Sequence, residues 1–272
     1  MKGKKNVAEL KLLPLRSSSK GNSTIISGKS AKILVDCGIS GKALDECLAS
    51  VGILAESIDG IVVTHEHTDH IKGIGIVSRK YDIPVYANAS TWHAIGGQLG
   101  KIRDENKKIF ETGSEFYIKD IKIQSFHTSH DAAESVGYTF EIPDEKVSVA
   151  TDMGKITDDI LNAICGSHTV LIEANYDLNM LEIGPYPYEL KRRIKGDMGH
   201  LCNDDCADLA KVLAKTGTRK IFLGHLSEEN NFPGLALKTV ENCLTSGECP
   251  IKNLQLAVMA KDGRFLCAEL NK

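Results

Sequence analysis

The sequence predicts a mixed α/β protein whose β-sheets are covered by helices, and two patterns carry this prediction. Short β-like runs bounded by Gly, Ser, Asn or Asp dominate the first third of the chain, and helices alternate with strands in the last third. The composition supports a folded chain: its 272 residues are 42% apolar and 25% charged, which argues against a disordered, collagen-like or coiled-coil protein. Because sheets must bury their apolar faces, we expect helices packed against them.

Two helices are predicted among the strands of the first third. Ser40 is a suitable N-cap for the first helix, the apolar residues from Leu44 to Val51 recur at helical spacing, and Gly52 ends it. The second helix is expected over residues 69–81. The predicted strands of this third cover residues 9–15, 24–27, 31–36 and 60–64.

The middle of the chain is typical of a β-meander, in which Pro143 and Asp144 turn the chain between the last two strands. The last third returns to the alternation of helix and strand. We predict meander strands at 115–126, 135–142 and 146–151, helices at 156–165, 203–215 and 233–244, and strands at 169–173, 220–224, 254–258 and 264–269.

No internal repeat, low-complexity tract or Pro/Ser-rich linker divides the chain, so we expect one domain over residues 1–272. One segment, residues 175–199, is longer and less regular than a plain connector and contains a basic run from Lys191 to Lys195. By itself, such a run is typical of a solvated helix face.

Charge and cysteine usage exclude several classes of protein. The chain has 33 basic and 36 acidic residues, a net charge of −3, so no global excess of positive charge indicates a nucleic-acid partner. No signal peptide is evident and no apolar stretch approaches the roughly 20 residues of a membrane helix, so we expect a cytoplasmic protein without a membrane span. The eight cysteines lack C-x-x-C spacing and are expected to be reduced core thiols.

The most informative stretch, Thr64 to His70, reads T-H-E-H-T-D-H and follows an apolar strand. His65 and His67 are two residues apart in an extended chain, so their rings project to the same side and can bind one cation. Asp69 and His70 begin the next helix, where the turn can direct them to a second cation. Without a metal, this cluster would accumulate desolvated polar groups at a strand end, so the sequence predicts a metal site.

Other predicted strands also end in residues that bind metals. Apolar runs lead into Asp36, Asp152 and His225, and another leads into two imidazoles, His127 and His130. An apolar strand followed by a ligand is the arrangement expected of a site built along one edge of a sheet.

In this order, the motifs resemble the five motifs of the metallo-β-lactamase superfamily, from about residue 9 to the C-terminus. The resemblance implies a four-layer αββα sandwich. His130 is preferred to His127 for the third motif because it stands in the Ser-His-Asp context of the family. The matching residues are Asp36 for motif one, His65, His67, Asp69 and His70 for motif two, and His130, Asp152 and His225 for motifs three, four and five.

The same resemblance implies two neighbouring divalent metal ions. Two ions about 3.5–4 Å apart lower the pKa of a bridging water and stabilise charge on the attacked centre, so the implied reaction is hydrolysis by a bridging hydroxide. Histidine and carboxylate ligands suit Zn²⁺, Mn²⁺ or Fe²⁺. By resemblance, the first metal would be held by His65, His67 and His130, the second by Asp69, His70 and His225, with Asp152 bridging them and Asp36 orienting the histidine loop.

Two further elements are similar to those of ribonuclease Z and related nucleases. His200 follows a glycine and precedes a capped helix, and Glu173 ends a strand and precedes an alanine. The resemblance implies that His200 is the general acid for the leaving oxygen and that Glu173 orients it. Read alone, His200 would only cap a helix and Glu173 would be solvated.

Within the superfamily, the chain most resembles the YycJ/WalJ-like branch, through Ser17–Asn22 and residues 136–138, 199–201 and 225–231. This implies a metal-dependent nuclease, a 5′ to 3′ exonuclease on DNA. The Ser17–Asn22 loop and the Lys191–Lys195 run would then contact phosphates. The residues expected to bind substrate are Ser18, Lys20, Asn22 and Asn230.

Two other functions stay open at this point. A glyoxalase II-like thioester or lactone hydrolase shares the H-x-H-x-D-H motif but has no use for a His200/Glu173 pair. A metal-binding scaffold without catalysis is disfavoured because no expected ligand is missing.

Overall fold

Apolar strands build two β-sheets that pack face to face. The computed structural model describes residues 10–246, 249–259, 263–268 and 270. Within these residues, the first sheet contains β1 (Lys11–Ser18), β2 (Gly21–Ser27), β3 (Lys32–Val35), β4 (Gly60–Val62), β5 (Val85–Asn88) and β6 (Lys107–Phe110), in that order. The second contains β7 (Glu115–Ile118), β8 (Ile121–His127), β9 (Val136–Ile142), β10 (Glu145–Ala150), β11 (Thr169–Glu173), β12 (Lys220–Gly224), β13 (Gln255–Met259) and β14 (Phe265–Cys267), also in sequence order.

Parallel pairing aligns the strand ends that matter for the site. β3 and β4 pair in parallel in the first sheet, and β10, β11 and β12 pair in parallel in the second. β7 to β10 pair antiparallel, as the predicted meander requires. Since parallel strands end at the same edge of a sheet, the residues that follow β3 and β4 lie together, as do those that follow β10 to β12.

Helices cover the outer face of each sheet, because central strands such as β2 and β12 bury side chains on both of their faces. Residues such as Val62, Tyr138 and Phe222 fill the core between the sheets. Leu44 packs on the outer side of the first sheet and Leu209 on that of the second. The helices are α1 (Gly41–Ser50), α2 (Thr68–Ile71), α3 (Ile74–Tyr81), α4 (Ala89–Ile95), α5 (Asp158–Ile164), α6 (Leu178–Ile183), α7 (Tyr188–Lys195), α8 (Asn203–Lys215) and α9 (Pro233–Thr245). The expected α/β class, a four-layer αββα sandwich, is confirmed.

The prediction of one continuous helix over residues 69–81 is wrong, because the structure has two helices there, α2 and α3. Gly73 stands at the break, and a Cβ there would lie 2.1 Å from the carbonyl oxygen of Ile39 and 2.7 Å from Sγ of Cys37. The Gly73 N–H donates to the Cys37 carbonyl at 2.7 Å. Close contact with the segment after β3 therefore interrupts the helix directly after the histidine motif.

The strand predicted over residues 115–126 is also wrong, because it is divided into β7 and β8 by a turn at which Lys119 has a φ of 53°. Most of the other predicted elements agree with the structure. Ser40 caps α1, its hydroxyl accepting from the Ala43 N–H. The first strand continues to Ser18, so most of the expected phosphate loop is a β-hairpin. β5, β6 and α4 were not predicted. The expected strand starts and ends at residues 9 and 269 lie outside the described residues, and the single domain over 1–272 stays a prediction.

Two further predictions concern the state of the cysteines and the presence of a membrane-spanning helix. All eight cysteines are free thiols; Cys37, Cys202 and Cys206 are buried, whereas Cys267 is exposed, so not all of them are core thiols. No helix in the described ranges combines the length and the apolar character that crossing a membrane requires.

Candidate metal centre

Three of the predicted site residues follow strands in a left-handed backbone conformation. Asp36 comes directly after β3, His225 directly after β12, and Asp152 two residues after the end of β10. Their φ angles are 58°, 54° and 58°, respectively. This conformation costs a non-glycine residue on the order of 1–3 kcal/mol, and such strain concentrates at functional sites. At these three strand ends, the chain turns sharply and brings the side chains to one cluster.

The described residues contain four overlapping groups of possible metal ligands, and two of these groups are the sets that the sequence predicts. Possible ligand atoms of His65, His67 and His130 lie within 4.8 Å of one another, as do those of Asp69, His70 and His225. Asp152 lies between the sets: its Oδ1 is 3.3 Å from Nε2 of His225 and 3.8 Å from Nε2 of His130, and its Oδ2 is 3.4 Å from Nε2 of His70. Asp152 therefore faces candidate ligands of both sets.

Four of the imidazoles are held by contacts of Nδ1, which directs Nε2 toward the cluster. Nδ1 of His70 lies 2.8 Å from Oδ2 of Asp36, and Nδ1 of His130 lies 3.0 Å from the Gly199 carbonyl oxygen. Nδ1 of His65 lies 3.0 Å from the Thr64 hydroxyl, and Nδ1 of His225 lies 2.9 Å from Oε1 of Glu173. Metal-binding histidines use such partners to fix ring orientation.

Asp36 organises the histidine loop from the position that the sequence predicts. The Thr64 N–H donates to its Oδ1 at 2.8 Å, and the Thr64 hydroxyl donates to its Oδ2 at 2.8 Å. Together with the His70 contact, these bonds join the end of β3 to the loop after β4. Asp36 is 3% exposed, so these bonds form in a desolvated setting where they are strong.

Two buried atoms of the cluster fit a cation. Nε2 of His65 and Oδ2 of Asp152 are buried, and no described residue gives either a hydrogen bond. Buried polar atoms without partners are rare in folded proteins, and a bound cation would satisfy both. Nitrogen and carboxylate oxygen donors at these distances suit a divalent transition metal. The residues present therefore fit the metal ions that the fold implies.

The pKa shifts within the cluster also favour binding of a cation. Burial lowers the pKa of His65 well below its ordinary value and also lowers that of His130, which leaves the neutral imidazole that binds metals. Burial opposes ionisation of Asp69, but hydrogen bonds with His225 and His70 hold its pKa below the ordinary range. Burial opposes the charged form of His225 as well, yet Asp152 and Asp69 raise its pKa to about 10. The buried carboxylates thus attract positive charge to this point.

His200 and Glu173 form a pair at the edge of the cluster. Nδ1 of His200 lies 2.7 Å from Oε1 of Glu173, whose side chain is fully buried. Burial opposes the charged form of Glu173, but the neighbouring His200 and His225 outweigh it and hold the pKa of Glu173 below its ordinary value. The His200 ring is 21% exposed and stacks on the His225 ring with centroids 5.2 Å apart. His200 therefore faces the cleft while Glu173 supports it from behind.

The cleft over the cluster also contains a cation that the sequence places only within a basic run. Arg193, from α7, lines this cleft together with Ser19, Thr68 and the metal-site residues. Its Nε lies 2.5 Å from Oδ2 of Asp131, which follows His130. A guanidinium thus stands at the mouth of the site.

The predicted substrate-binding residues lie in different environments. Ser18 ends β1 and Lys20 lies in the β1–β2 turn, with its Nζ 2.5 Å from Oε2 of Glu228. Asn22 is buried, with Nδ2 3.1 Å from Nε2 of His70, so it contacts the ligand set itself. Asn230 is fully buried. Their roles in binding substrate stay predictions.

Sequence reasoning missed several buried supports of the site. Thr64 joins Asp36 to His65 and His70, and the Asn175 amide contacts Nδ1 and the carbonyl oxygen of His225. Thr64 was detectable as a hydroxyl at the strand end directly before the motif. In contrast, His127 is exposed at the end of β8 and belongs to none of the ligand groups among the described residues.

Comparisons with known proteins agree with this geometry. The sequence profile described as "Beta-lactamase superfamily domain" matches residues 31–226. Exodeoxyribonuclease YycJ of Bacillus anthracis is 41% identical over 230 residues, which cover 85% of this chain and 87% of that protein. Exodeoxyribonuclease WalJ of Streptococcus pneumoniae is 41% identical over 236 residues, which cover 86% of this chain and 88% of WalJ.

A solved structure extends the likeness to the whole fold. YhfI of Bacillus subtilis, described as a metallo-β-lactamase fold protein, superimposes with a TM-score of 0.69. The alignment covers 95% of this chain and 99% of YhfI. At 15% identity, this likeness concerns the fold alone.

Proposed function

Because this chain belongs to the β-lactamase superfamily and to its YycJ/WalJ-like branch, we propose that it is a two-metal exonuclease that degrades DNA from the 5′ end. The predicted branch, the hydrolase class and the nuclease activity agree with the two relatives named as exodeoxyribonucleases. The divalent metal site rests on the His/Asp cluster. The number and identity of the metals, DNA as substrate, the 5′ to 3′ direction and a cytoplasmic location are proposals.

The observation that carries a phosphodiesterase mechanism is the 2.7 Å contact between His200 and Glu173 beside the ligand cluster. With Nδ1 held by Glu173, the His200 ring keeps Nε2 for the cleft. There it can donate a proton to the oxygen that leaves when a phosphodiester is cleaved. A thioester hydrolase releases a thiolate, which needs no such proton donor, so this pair favours the nuclease over the glyoxalase II-like alternative.

The two metal ions would be held by residues already described. His65, His67 and His130 surround one position, Asp69, His70 and His225 the other, and Asp152 faces both. When bound there, two divalent ions supply a hydroxide at neutral pH and neutralise charge on the phosphate. Arg193 at the cleft mouth and Lys20 at the β1–β2 turn, each paired with a carboxylate, are the candidate cations for phosphate contact. Ser18, Asn22 and Asn230 are the further candidates for substrate binding.

A substrate panel tests this proposal. The purified protein with Mn²⁺ or Zn²⁺ is offered single- and double-stranded DNA and RNA, each with a 5′-phosphate or a 5′-hydroxyl, and a thioester such as S-lactoylglutathione. We expect stepwise release of nucleotides from the 5′ end of DNA. Cleavage of the thioester with no cleavage of any nucleic acid would reject the nuclease.

A further inference from the structure

Helix α7 is braced against its surroundings by three of its four basic side chains. Nζ of Lys191 donates to the Glu182 carbonyl at 2.7 Å, and Lys195 pairs with the Glu182 carboxylate. Arg193 pairs with Asp131 in the loop that carries His130. These contacts fix α7 to α6 on one side and to the metal centre on the other.

The inner side of the same helix is apolar. Ile194 packs with Leu181 and Tyr186 against Tyr176 and Cys202, forming a small core next to the site. At 100° per residue, Ile194 and Leu190 lie on one side of α7, and Arg192 lies opposite them. The orientation of the helix is thus set by packing as well as by charge.

The outer side presents one aromatic ring and one cation. Tyr188 is 73% exposed, and Arg192 stands four residues later on the same helical face and is exposed. No described residue forms an ion pair or a side-chain hydrogen bond with Arg192, whereas Arg193 and Lys195 form ion pairs and Lys191 donates to a backbone carbonyl. The helix carries four basic residues against one acid, Glu189, in a chain whose net charge is −3.

This outer face adjoins the residue of α7 that lines the cleft. Arg193 lines the cleft with His200 and His225, and its neighbour Arg192 begins the exposed side of α7. For a strand that leaves the cleft beside Arg193, the next exposed groups of α7 are the Arg192 guanidinium and, one turn away, the Tyr188 ring.

We propose that the face of α7 formed by Tyr188 and Arg192 binds the part of a single-stranded DNA substrate that lies outside the metal cleft, and this rests on the proposed exonuclease. Bases stack on exposed aromatic rings and phosphates bind guanidinium groups, which is how proteins hold single strands without reading sequence. Arg192, whose charge no described carboxylate neutralises, complements the negative charge of a polyanion. The face lets the enzyme hold a long strand between successive cleavages.

The test compares a strand long enough to reach α7 with one that is too short. Tyr188→Ala, Arg192→Ala and the double variant are assayed with dT2 and dT20, and the binding of fluorescein-labelled dT20 is measured by anisotropy on a His200→Ala background. Tyr117→Ala on β7, which is 63% exposed, and Lys238→Ala on α9 are matched controls. All of these side chains are exposed, so the variants keep the fold.

We expect the double variant to raise the KM for dT20 and its Kd by about 10–100-fold, since stacking and one phosphate contact are lost. The kcat and the KM for dT2 stay unchanged. The slope of log Kd against log salt concentration falls by about 0.7 in Arg192→Ala, the value for one phosphate on a single strand. The control variants leave all of these values unchanged.

Unchanged binding of dT20 in the double variant would overturn this proposal and leave the exonuclease standing. An equal loss for dT2 and dT20 would also overturn it, because the variants would then act on the cleft. If the wild-type protein cleaves no DNA but dT20 binding still depends on Tyr188 and Arg192, the α7 face is supported and the exonuclease fails.

Discussion

Oε1 of Glu173 lies 2.7 Å from Nδ1 of His200 and, at the same time, 2.9 Å from Nδ1 of His225. One buried oxygen thus contacts both the proposed proton donor and a candidate metal ligand. Its partner oxygen accepts from the Met153 N–H at 2.9 Å, which links it to the loop of Asp152. Replacing His200 should therefore affect proton donation, and replacing His225 should affect metal binding.

The His200→Ala variant should retain its metal ions and lose most of its rate. The His200 ring contacts Glu173 and belongs to neither of the two predicted ligand sets, although its ring lies in a further group of possible ligands with Asp152, Glu173 and His225. We expect two metals per chain by elemental analysis and a decrease in kcat of about 10²–10⁴-fold, the usual contribution of a general acid. Unchanged turnover would remove His200 from the mechanism.

Glu173→Gln should weaken both functions. Glutamine keeps the shape of the side chain but loses the charge, so it no longer orients the two rings equally well. We expect metal affinity to fall about 10–100-fold, as for other residues that support metal ligands. The rate should fall as well, even at saturating metal. Metal competition with a chelating dye and kcat at saturating Mn²⁺ measure the two effects; a loss in rate with full metal affinity would mean that Glu173 supports His200 alone.

Asp152→Ala should abolish the shared site. Both oxygens of Asp152 face candidate ligand histidines, and the side chain is 2% exposed. We expect at most one tightly bound metal per chain and no measurable cleavage.

Asp144→Ala is the matched control for this variant. Asp144 also has a positive φ, 69°, but lies in the turn between β9 and β10, away from the cluster. The control should bind two metals. Two metals in Asp152→Ala would contradict the bridging role.

Most candidate ligands could be found from the sequence because they follow a strand, and Asp69 and His70 because they continue the histidine motif into α2. A strand has a recognisable apolar pattern, and an acid or imidazole at its end is unusual enough to notice. The grouping of His65, His67 and His130 came from the resemblance, and the structure brings the same residues within 4.8 Å of one another. Local patterns alone do not show that β3, β10 and β12 meet at one place.

The remaining features depend on contacts between distant parts of the chain. The break between α2 and α3 arises because Gly73 touches the segment after β3, and helical periodicity carries no information about that contact. Asn22 looked like an exposed turn residue, yet it is buried against His70. Strand β6 has three exposed residues of four, so its sequence lacks the apolar run by which strands are recognised.

Gly38→Ala should disturb the metal centre through backbone contact alone. A Cβ at Gly38 would lie 1.5 Å from the carbonyl oxygen of Asp69, so the start of α2 would have to move. We expect the free energy of unfolding to fall by at least about 2 kcal/mol in urea titrations, with a parallel loss of metal affinity, because overpacking forces backbone shifts. Gly97→Ala is the control: a Cβ there meets nothing within 4 Å, so stability should change by less than about 1 kcal/mol. Normal metal affinity in Gly38→Ala would show that the Asp69 backbone can move without displacing its side chain, which would refute the rigid coupling between β3 and the histidine motif.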